Sequence, residues 1–295
     1  MHNITLNSST DTRGQMYGII VAMISAFSFG IAVPLASITY SGGANPITLA
    51  IIRTMVMSVI AVLLVLLLKR DWRVPQEAVF STSLVAIGMA CLSIGILNAV
   101  NYIPVSLAIL IMYIYPALVV VLETILLGQR LSILRLITCL LAFTGLALVL
   151  GPSFSDLDWR GIAFAVLACI SSTTVMLATR TARRHINEVA LMLWGIIGGI
   201  PILLFFWPLL GGIAIPDTQL AWTSLAAVCF FFVVAFSCYI ISMRYISAGR
   251  ASMIYNIEPL VAIVGATVLL GESLLLVQLF GAAFVITAVL LAARE

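Results

Sequence analysis

Charge is what this chain has least of. Of its 295 residues only 8% are Asp, Glu, Lys or Arg, against about 25% in a soluble globular domain. Only two histidines occur, His2 and His185, and neither falls in an apolar run. The five cysteines (Cys91, Cys139, Cys169, Cys229 and Cys238) form no CxxC pair and lie within apolar runs. They read as small packing residues rather than disulfide or metal ligands. No HExxH, GxSxG or phosphate-binding Gly-Lys-Ser/Thr loop is present, so metalloprotease, serine-hydrolase and nucleotide-driven chemistry lack their residues. A metal, a cofactor and a nucleic-acid partner are not expected. Asn3-Ile4-Thr5 fits a glycosylation acceptor pattern, which is meaningless on a cytoplasmic tail.

Apolar residues are abundant instead: 63% of the chain is hydrophobic and the mean hydropathy is +1.23. Lipid is the solvent that such a sequence requires. Polar and turn-rich joints divide it into ten apolar runs, near 16–38, 46–68, 78–99, 104–127, 132–150, 160–180, 188–210, 218–241, 250–270 and 275–293. They are numbered helices 1 to 10 here. Each is long enough to cross about 30 Å of hydrocarbon as a helix, and their unbroken hydrophobicity excludes a barrel of alternating strands. Trp72 and Trp159 read as interface anchors.

Basic residues set the expected orientation. Of 14 Lys and Arg, 12 fall at joints on one side of the ten-span scheme, while Arg160 lies on the other and Arg53 inside helix 2. By the positive-inside rule both termini are cytoplasmic, in the inner membrane. Glu123, near the inner end of helix 4, reads as an interfacial pair with Arg130.

A shift of 143 residues lays the chain on itself. From 101–150 over 244–293 there are 15 identities in 50 positions, with no gap. Tyr102 meets Tyr245, Pro116 meets Pro259, Thr124 meets Thr267, and Leu126-Leu127-Gly128 meets Leu269-Leu270-Gly271. Gly18, Ala22 and Ser28 meet Gly161, Ala165 and Ser171 at the same offset. The organisation that follows is a tail (1–15), a first five-helix repeat (16–150), an outer linker (151–158) and a second repeat (159–295). Five is odd, so the second half enters the membrane inverted, the pattern of many secondary transporters. The fold class is an all-α polytopic membrane protein built as two inverted repeats.

Polar residues inside helix 9 are the sharpest functional signal. Glu258 stands about eight residues, or roughly 12 Å, into the core, where a carboxylate costs about 2.5–3.5 kcal/mol on insertion scales. Pro259 removes a backbone donor and releases the carbonyl of Tyr255. The repeat sets Tyr113 over Asn256 and Tyr115 over Glu258, giving aromatic faces in one half and amide and charge in the other. The candidate substrate site is therefore Tyr113, Tyr115, Tyr255, Asn256, Glu258 and Asn98, with helix breaks at Pro34, Pro116 and Pro259. Asn98 and Asn101 either line an entrance or cap helix 3. Glu258 is either a proton-coupling group or the structural ion-pair partner of Arg53. Gly18, Ala22, Ala26 and Gly30 recur every four residues on helix 1, as close helix packing requires.

These features resemble the drug/metabolite transporter superfamily, in its EamA-type branch of ten-helix proteins. The resemblance rests on Pro116 followed by LLGQRLSILRLITCLLAFTGLALVL, on Pro259 followed by LLGESLLLVQLFGAAFVITAVLLA, and on Arg53 in LAIIRTMVMS. Helix 4 departs from the common Gly-Glu ending with Gly128-Gln129, whereas helix 9 keeps it as Gly271-Glu272. The resemblance implies a small organic metabolite as substrate, often an amino acid, nucleobase-like compound or toxic cation, and often export; a monomer or homodimer is expected. The expected activity is secondary transport by alternating access, with a proton as the simplest coupling ion. Exchange or import without protons is the alternative, and a membrane-embedded enzyme or a passive channel is the rival from another class.

Overall fold

The computed structural model describes residues 8–128, 132–151, 157–271 and 275–294. Asn3-Ile4-Thr5, Gln129, Arg130 and Glu272 lie outside the described residues, and with them the glycosylation pattern, the Glu123–Arg130 pair and the unlike ends of helices 4 and 9. Among the described residues every regular element is helical. Nine helices among the described residues are long and apolar enough to cross a bilayer, and Leu276–Ala292 is a further apolar stretch. The tenth expected run forms a helix over Leu276–Arg294.

The helices begin where local chemistry satisfies their first N–H groups. Asn45 caps helix 2 (Pro46–Leu68), Ser132 caps helix 5 (Ile133–Leu150), Asp158 caps helix 6 (Trp159–Ala182) and Thr218 caps helix 8 (Gln219–Ser242). Helix 1 (Ser8–Ser41) runs through Pro34 without a break, and helix 3 (Gln76–Ala99) is also continuous. Three spans are broken. Helix 4 consists of Val105–Met112 and Tyr115–Leu126, and helix 9 of Ala248–Ile254 and Ile257–Leu270. Both breaks lie just ahead of the repeat-related Pro116 and Pro259. Helix 7 divides into Glu188–Ile197 and Ile200–Phe206 at Gly198-Gly199, ahead of Pro201, and ends in a 3₁₀ turn, Trp207–Leu210. That third break was not read from the sequence, although a Gly-Gly pair before a proline signals it.

Packing between the helices repeats with the same offset, and it exchanges partners between the halves. Helix 1 lies against helices 8 and 9 of the second repeat, while helix 6 lies against helices 3 and 4 of the first. Helix 5 packs on helix 10, and helix 2 on helix 7. The exchange is visible atom by atom. A Cβ at Gly18 would stand 2.6 Å from Tyr245 Cβ, and one at Gly161 would stand 2.9 Å from Tyr102 Cβ. All four residues are related by the 143-residue shift. Neither contact admits a side chain, so both glycines are required by close approach. Ala22, Ala26, Ala165 and Cys169 continue these seams, at 4% exposure or less. Outward-facing Leu67, Leu126, Val268 and Phe280 are exposed, as helix faces that meet lipid chains must be. Trp72 and Trp159 are exposed near helix ends, and Trp194 Nε1 donates to the Trp72 carbonyl at 2.7 Å.

Candidate functional site

The two proline breaks come together at the middle of the bundle. The Ser252 hydroxyl on helix 9 donates to the Gly249 carbonyl at 2.8 Å, with the Pro116 carbonyl of helix 4 at 3.4 Å. The carbonyl that Pro259 would leave open, that of Tyr255, is not free: the Glu258 N–H donates to it at 3.0 Å through a tighter turn. Asn256 also supports the break, its amide donating to the Met253 carbonyl at 3.1 Å. Irregular backbone at this depth is therefore largely satisfied from within.

Tyr113, Tyr115, Tyr255 and Asn256 are all buried, at 7% exposure or less. The Tyr113 and Tyr115 rings lie 5.8 Å apart. Glu258 stands in the first turn after the helix 9 break, two residues beyond Asn256, and is half-buried. Tyr255 donates to Ser25 Oγ on helix 1 at 2.6 Å, and Ser25 donates onward to the Ala235 carbonyl of helix 8 at 2.6 Å. Gly30 permits this meeting of helices 1 and 9: a Cβ there would stand 2.6 Å from the Glu258 carbonyl oxygen. Pro34 and Gly265 make the next contact along the same seam.

Helix 8 supplies a row of rings that the sequence reading missed. Phe232, Phe236 and Tyr239 stack in succession at 6.0 and 6.1 Å, Tyr239 meets Tyr255 at 5.9 Å, and Phe29 of helix 1 meets Phe232 and Tyr255 at 6.1 and 6.4 Å. The signal was available, because 232, 236 and 239 share one helix face. Tyr239 is fixed by Thr179 Oγ1 at 3.1 Å and the Val175 carbonyl at 3.2 Å.

Two sequence expectations are not gathered here. Asn98 stays on its own helix, its amide donating to the Ile94 carbonyl at 2.8 Å. Arg53 makes no salt bridge with Glu258. Its guanidinium lies 4.7 Å over the Phe232 ring, which holds it on the helix 8 side. Glu123 likewise has a partner that the sequence did not indicate. Its carboxylate accepts from the N–H groups of Ala248 and Gly249 at 2.9 and 2.6 Å, capping helix 9 across the boundary between the halves. An anionic oxygen suits the open N–H groups and positive dipole of a helix start. Among the described residues no group of His, Cys, Asp and Glu is arranged to hold a metal.

A helical bundle with paired breaks is shared by many carriers, and comparison with known proteins decides among them. The EamA-like transporter family model matches twice, over residues 16–151 and 159–294. The chain belongs to the EamA-like transporter family. It is a membrane transporter. An uncharacterized transporter from Archaeoglobus fulgidus is 27% identical over 206 residues, covering 67% of this chain and 70% of that one. A solved crystal structure matches with a TM-score of 0.79 at 16% identity, covering 93% of this chain and 97% of the other. At that identity the likeness concerns the fold alone. For this EamA chain, the two family matches fall on the two sets of helices that exchange partners.

Proposed function

We propose that this EamA protein is a secondary carrier that moves a small organic metabolite across the cytoplasmic membrane by alternating access. Export is the direction we favour, with both termini cytoplasmic. Protons are the coupling ion in this reading, taken up and released by Glu258. The observation that carries the proposal is the meeting of two broken helices from opposite halves, with Glu258 in the first turn after the helix 9 break.

Physical reasons support it. Two halves that enter the membrane in opposite senses can exchange conformations, which turns a site between them from one side to the other. The substrate site runs between Tyr113 and Tyr115 of helix 4, the helix 8 rings, and Tyr255 with Glu258 of helix 9. Aromatic faces bury an organic ligand, and the few polar groups orient it. A carboxylate at such depth is kept despite its insertion penalty because it moves a proton or meets a charge.

Purified protein reconstituted into vesicles tests the proposal. A thermal-shift screen against a metabolite library supplies candidate substrates, since a ligand of the folded state raises its stability by mass action. Saturable counterflow of a labelled hit into vesicles preloaded with the same unlabelled compound is expected. Flux that never saturates would make the protein a channel, and conversion of the compound would make it an enzyme.

A further inference from the structure

A polar cavity lies away from the central breaks, at the seam where helices 4 and 5 of the first half meet helices 9 and 10 of the second. It measures about 50 Å³. A water needs about 10–15 Å³ of such space, so the cavity has room for roughly three to five. Arg135 of helix 5 and Arg250 of helix 9 both line it, with Glu123, Thr138 and Ser247. The two arginines therefore come from opposite halves. Each is the third residue of its helical segment, counted from Ile133 and from Ala248. They lie on the side of the ten-span scheme that carries 12 of the 14 Lys and Arg.

Donors remain open in this lining. A guanidinium has five N–H donors and no acceptor. Arg250 is half-buried, and its side chain makes one hydrogen bond, to Gln15 Oε1 at 3.3 Å. Among the described residues it forms no salt bridge. Ser247 Oγ accepts the Arg250 backbone N–H at 3.1 Å, which leaves its own proton to donate. The Thr138 hydroxyl is already bound to the Leu134 carbonyl at 2.8 Å. Glu123 brings a negative charge, but its oxygens accept from Ala248 and Gly249. Two guanidiniums against one carboxylate leave the described lining with a net positive charge.

A phosphate group suits such a space. Its oxygens take the places of several waters and accept from guanidinium and hydroxyl donors together. The position suits a lipid. Helix starts lie at the membrane interface, where lipid phosphates stand, and basic pockets between spanning helices on the cytoplasmic side take lipid headgroups. Ile133, Leu136 and Ile137, beside Arg135 on helix 5, are exposed at 78, 51 and 50%. Apolar surface for acyl chains thus adjoins the charged cavity.

We infer that this cavity binds a phosphate group between Arg135 and Arg250, with the Ser247 hydroxyl as a third donor, and that a membrane lipid of the cytoplasmic leaflet supplies it. Bound there, the phosphate joins the first half to the second at a place separate from Tyr113 and Glu258. The inference does not rest on what the central site carries. A free phosphate offers the same chemistry from water, so the test separates the two sources.

The test uses the full chain, stripped of lipid, in an uncharged detergent. It reads the melting temperature, which a ligand of the folded state raises by mass action, and the rate of maleimide labelling at Cys139, which also lines the cavity. Cys91 of helix 3, half-buried like Cys139, lies outside the cavity and is the control. The probes are phosphatidylglycerol, diacylglycerol with the same acyl chains, and inorganic phosphate against chloride at equal ionic strength. Phosphatidylglycerol is expected to raise the melting temperature and slow labelling at Cys139 while leaving Cys91 unchanged. Diacylglycerol, which lacks the phosphate, should do neither. Arg135→Gln and Arg250→Gln should each raise the lipid concentration needed for half the effect by about 10- to 100-fold, the worth of a hydrogen bond to a charged group. Arg73→Gln removes an exposed charge from the same side outside the cavity and should leave that concentration unchanged. If a cavity variant does not fold, the two readouts on the unaltered protein still decide between phosphatidylglycerol and diacylglycerol. Equal effects of these two lipids, or equal losses from Arg73→Gln and the cavity variants, would overturn the inference, because greasy contact or general charge then accounts for the binding. Unchanged melting and unchanged Cys139 labelling with phosphatidylglycerol and inorganic phosphate alike would also overturn it. Protection by inorganic phosphate without protection by lipid keeps the phosphate site and removes the lipid.

Discussion

Removal of the Glu123 carboxylate should loosen one face of the bundle, and the structure sets the size of the effect. Two N–H groups at the start of helix 9 donate to it, at 2.9 and 2.6 Å. Each is a hydrogen bond to a charged acceptor, worth about 1.5–3 kcal/mol. If both N–H groups were left dry, Glu123→Ala would lose about 3–6 kcal/mol. They do not stay dry. Glu123 and Gly249 line a cavity of about 50 Å³ with Arg135, Thr138, Ser247 and Arg250. A polar space of that size admits a water molecule, which restores part of the bonding. The cost then falls to about that of a lost helix cap, 1–2 kcal/mol, or roughly 2–4 °C in melting temperature for a chain of this size. Glu123→Gln should cost nearly as much, because one N–H then faces an amide NH₂ instead of an oxygen. The cap joins the two halves, so both variants should also open that face more often, by about 5- to 30-fold. Scanning fluorimetry in detergent reads the first effect, and the rate of maleimide labelling at Cys139, which lines the same cavity, reads the second. Melting temperatures within about 1 °C of the unaltered protein for both variants, with no change in labelling, would refute the reasoning.

Further outcomes follow from other contacts. Gly18→Leu and Gly161→Leu should each abolish folding or lower expression severely, since each occupies the same repeat-related seam; membrane yield checks this, and tolerance of either sinks the exchanged packing. Tyr255→Phe removes the bond to Ser25 and should lower stability by about 1 kcal/mol, read by the same melting curves, with Ser25→Ala giving a similar loss and the double variant less than the sum. Hydrogen bonds from Arg160 hold the Asp158 carboxyl below its usual value of 3.8. A depressed value in the folded state stabilises above the unfolded value and loses that contribution as pH falls through the folded one. Asp158→Asn should therefore melt below the unaltered protein at neutral pH, and the difference should close in acid; a difference that persists there contradicts the assignment. A cysteine placed at residue 183 should be labelled only from the cytoplasmic side of intact cells, and labelling from outside reverses the proposed orientation.

The sequence disclosed most of the fold because the lipid solvent imposes it. Ten apolar runs, two prolines in register and the Gly18–Gly161 correspondence required no knowledge of neighbours, since each follows from chain-local demands on length, backbone and side-chain size. What depended on neighbours was hidden. The Glu123–Arg130 pair lies outside the described residues, whereas the bonds from Ala248 and Gly249 to the Glu123 carboxylate arise only through the packing of helix 4 on helix 9. Arg53 and Glu258 are both charged and both deep, so pairing them was natural; Phe232 on helix 8 draws the guanidinium aside. Asn98 is of the right type for a site and yet bonds to its own helix. The ring row on helix 8 shares one helix face, yet spacing alone does not single it out in a span rich in Phe.

Glu258 is where the account is most exposed. Glu258→Gln keeps the volume and much of the hydrogen bonding but cannot release a proton. In vesicles loaded with a substrate from the thermal-shift screen, the unaltered protein should drive uptake from an imposed pH gradient and exchange label at equal pH. The variant should still exchange label, with a melting temperature no lower than that of the unaltered protein, and should not respond to the gradient. Gradient-driven uptake undiminished in Glu258→Gln would contradict the role given to this carboxylate and, with it, the proton-coupled carrier.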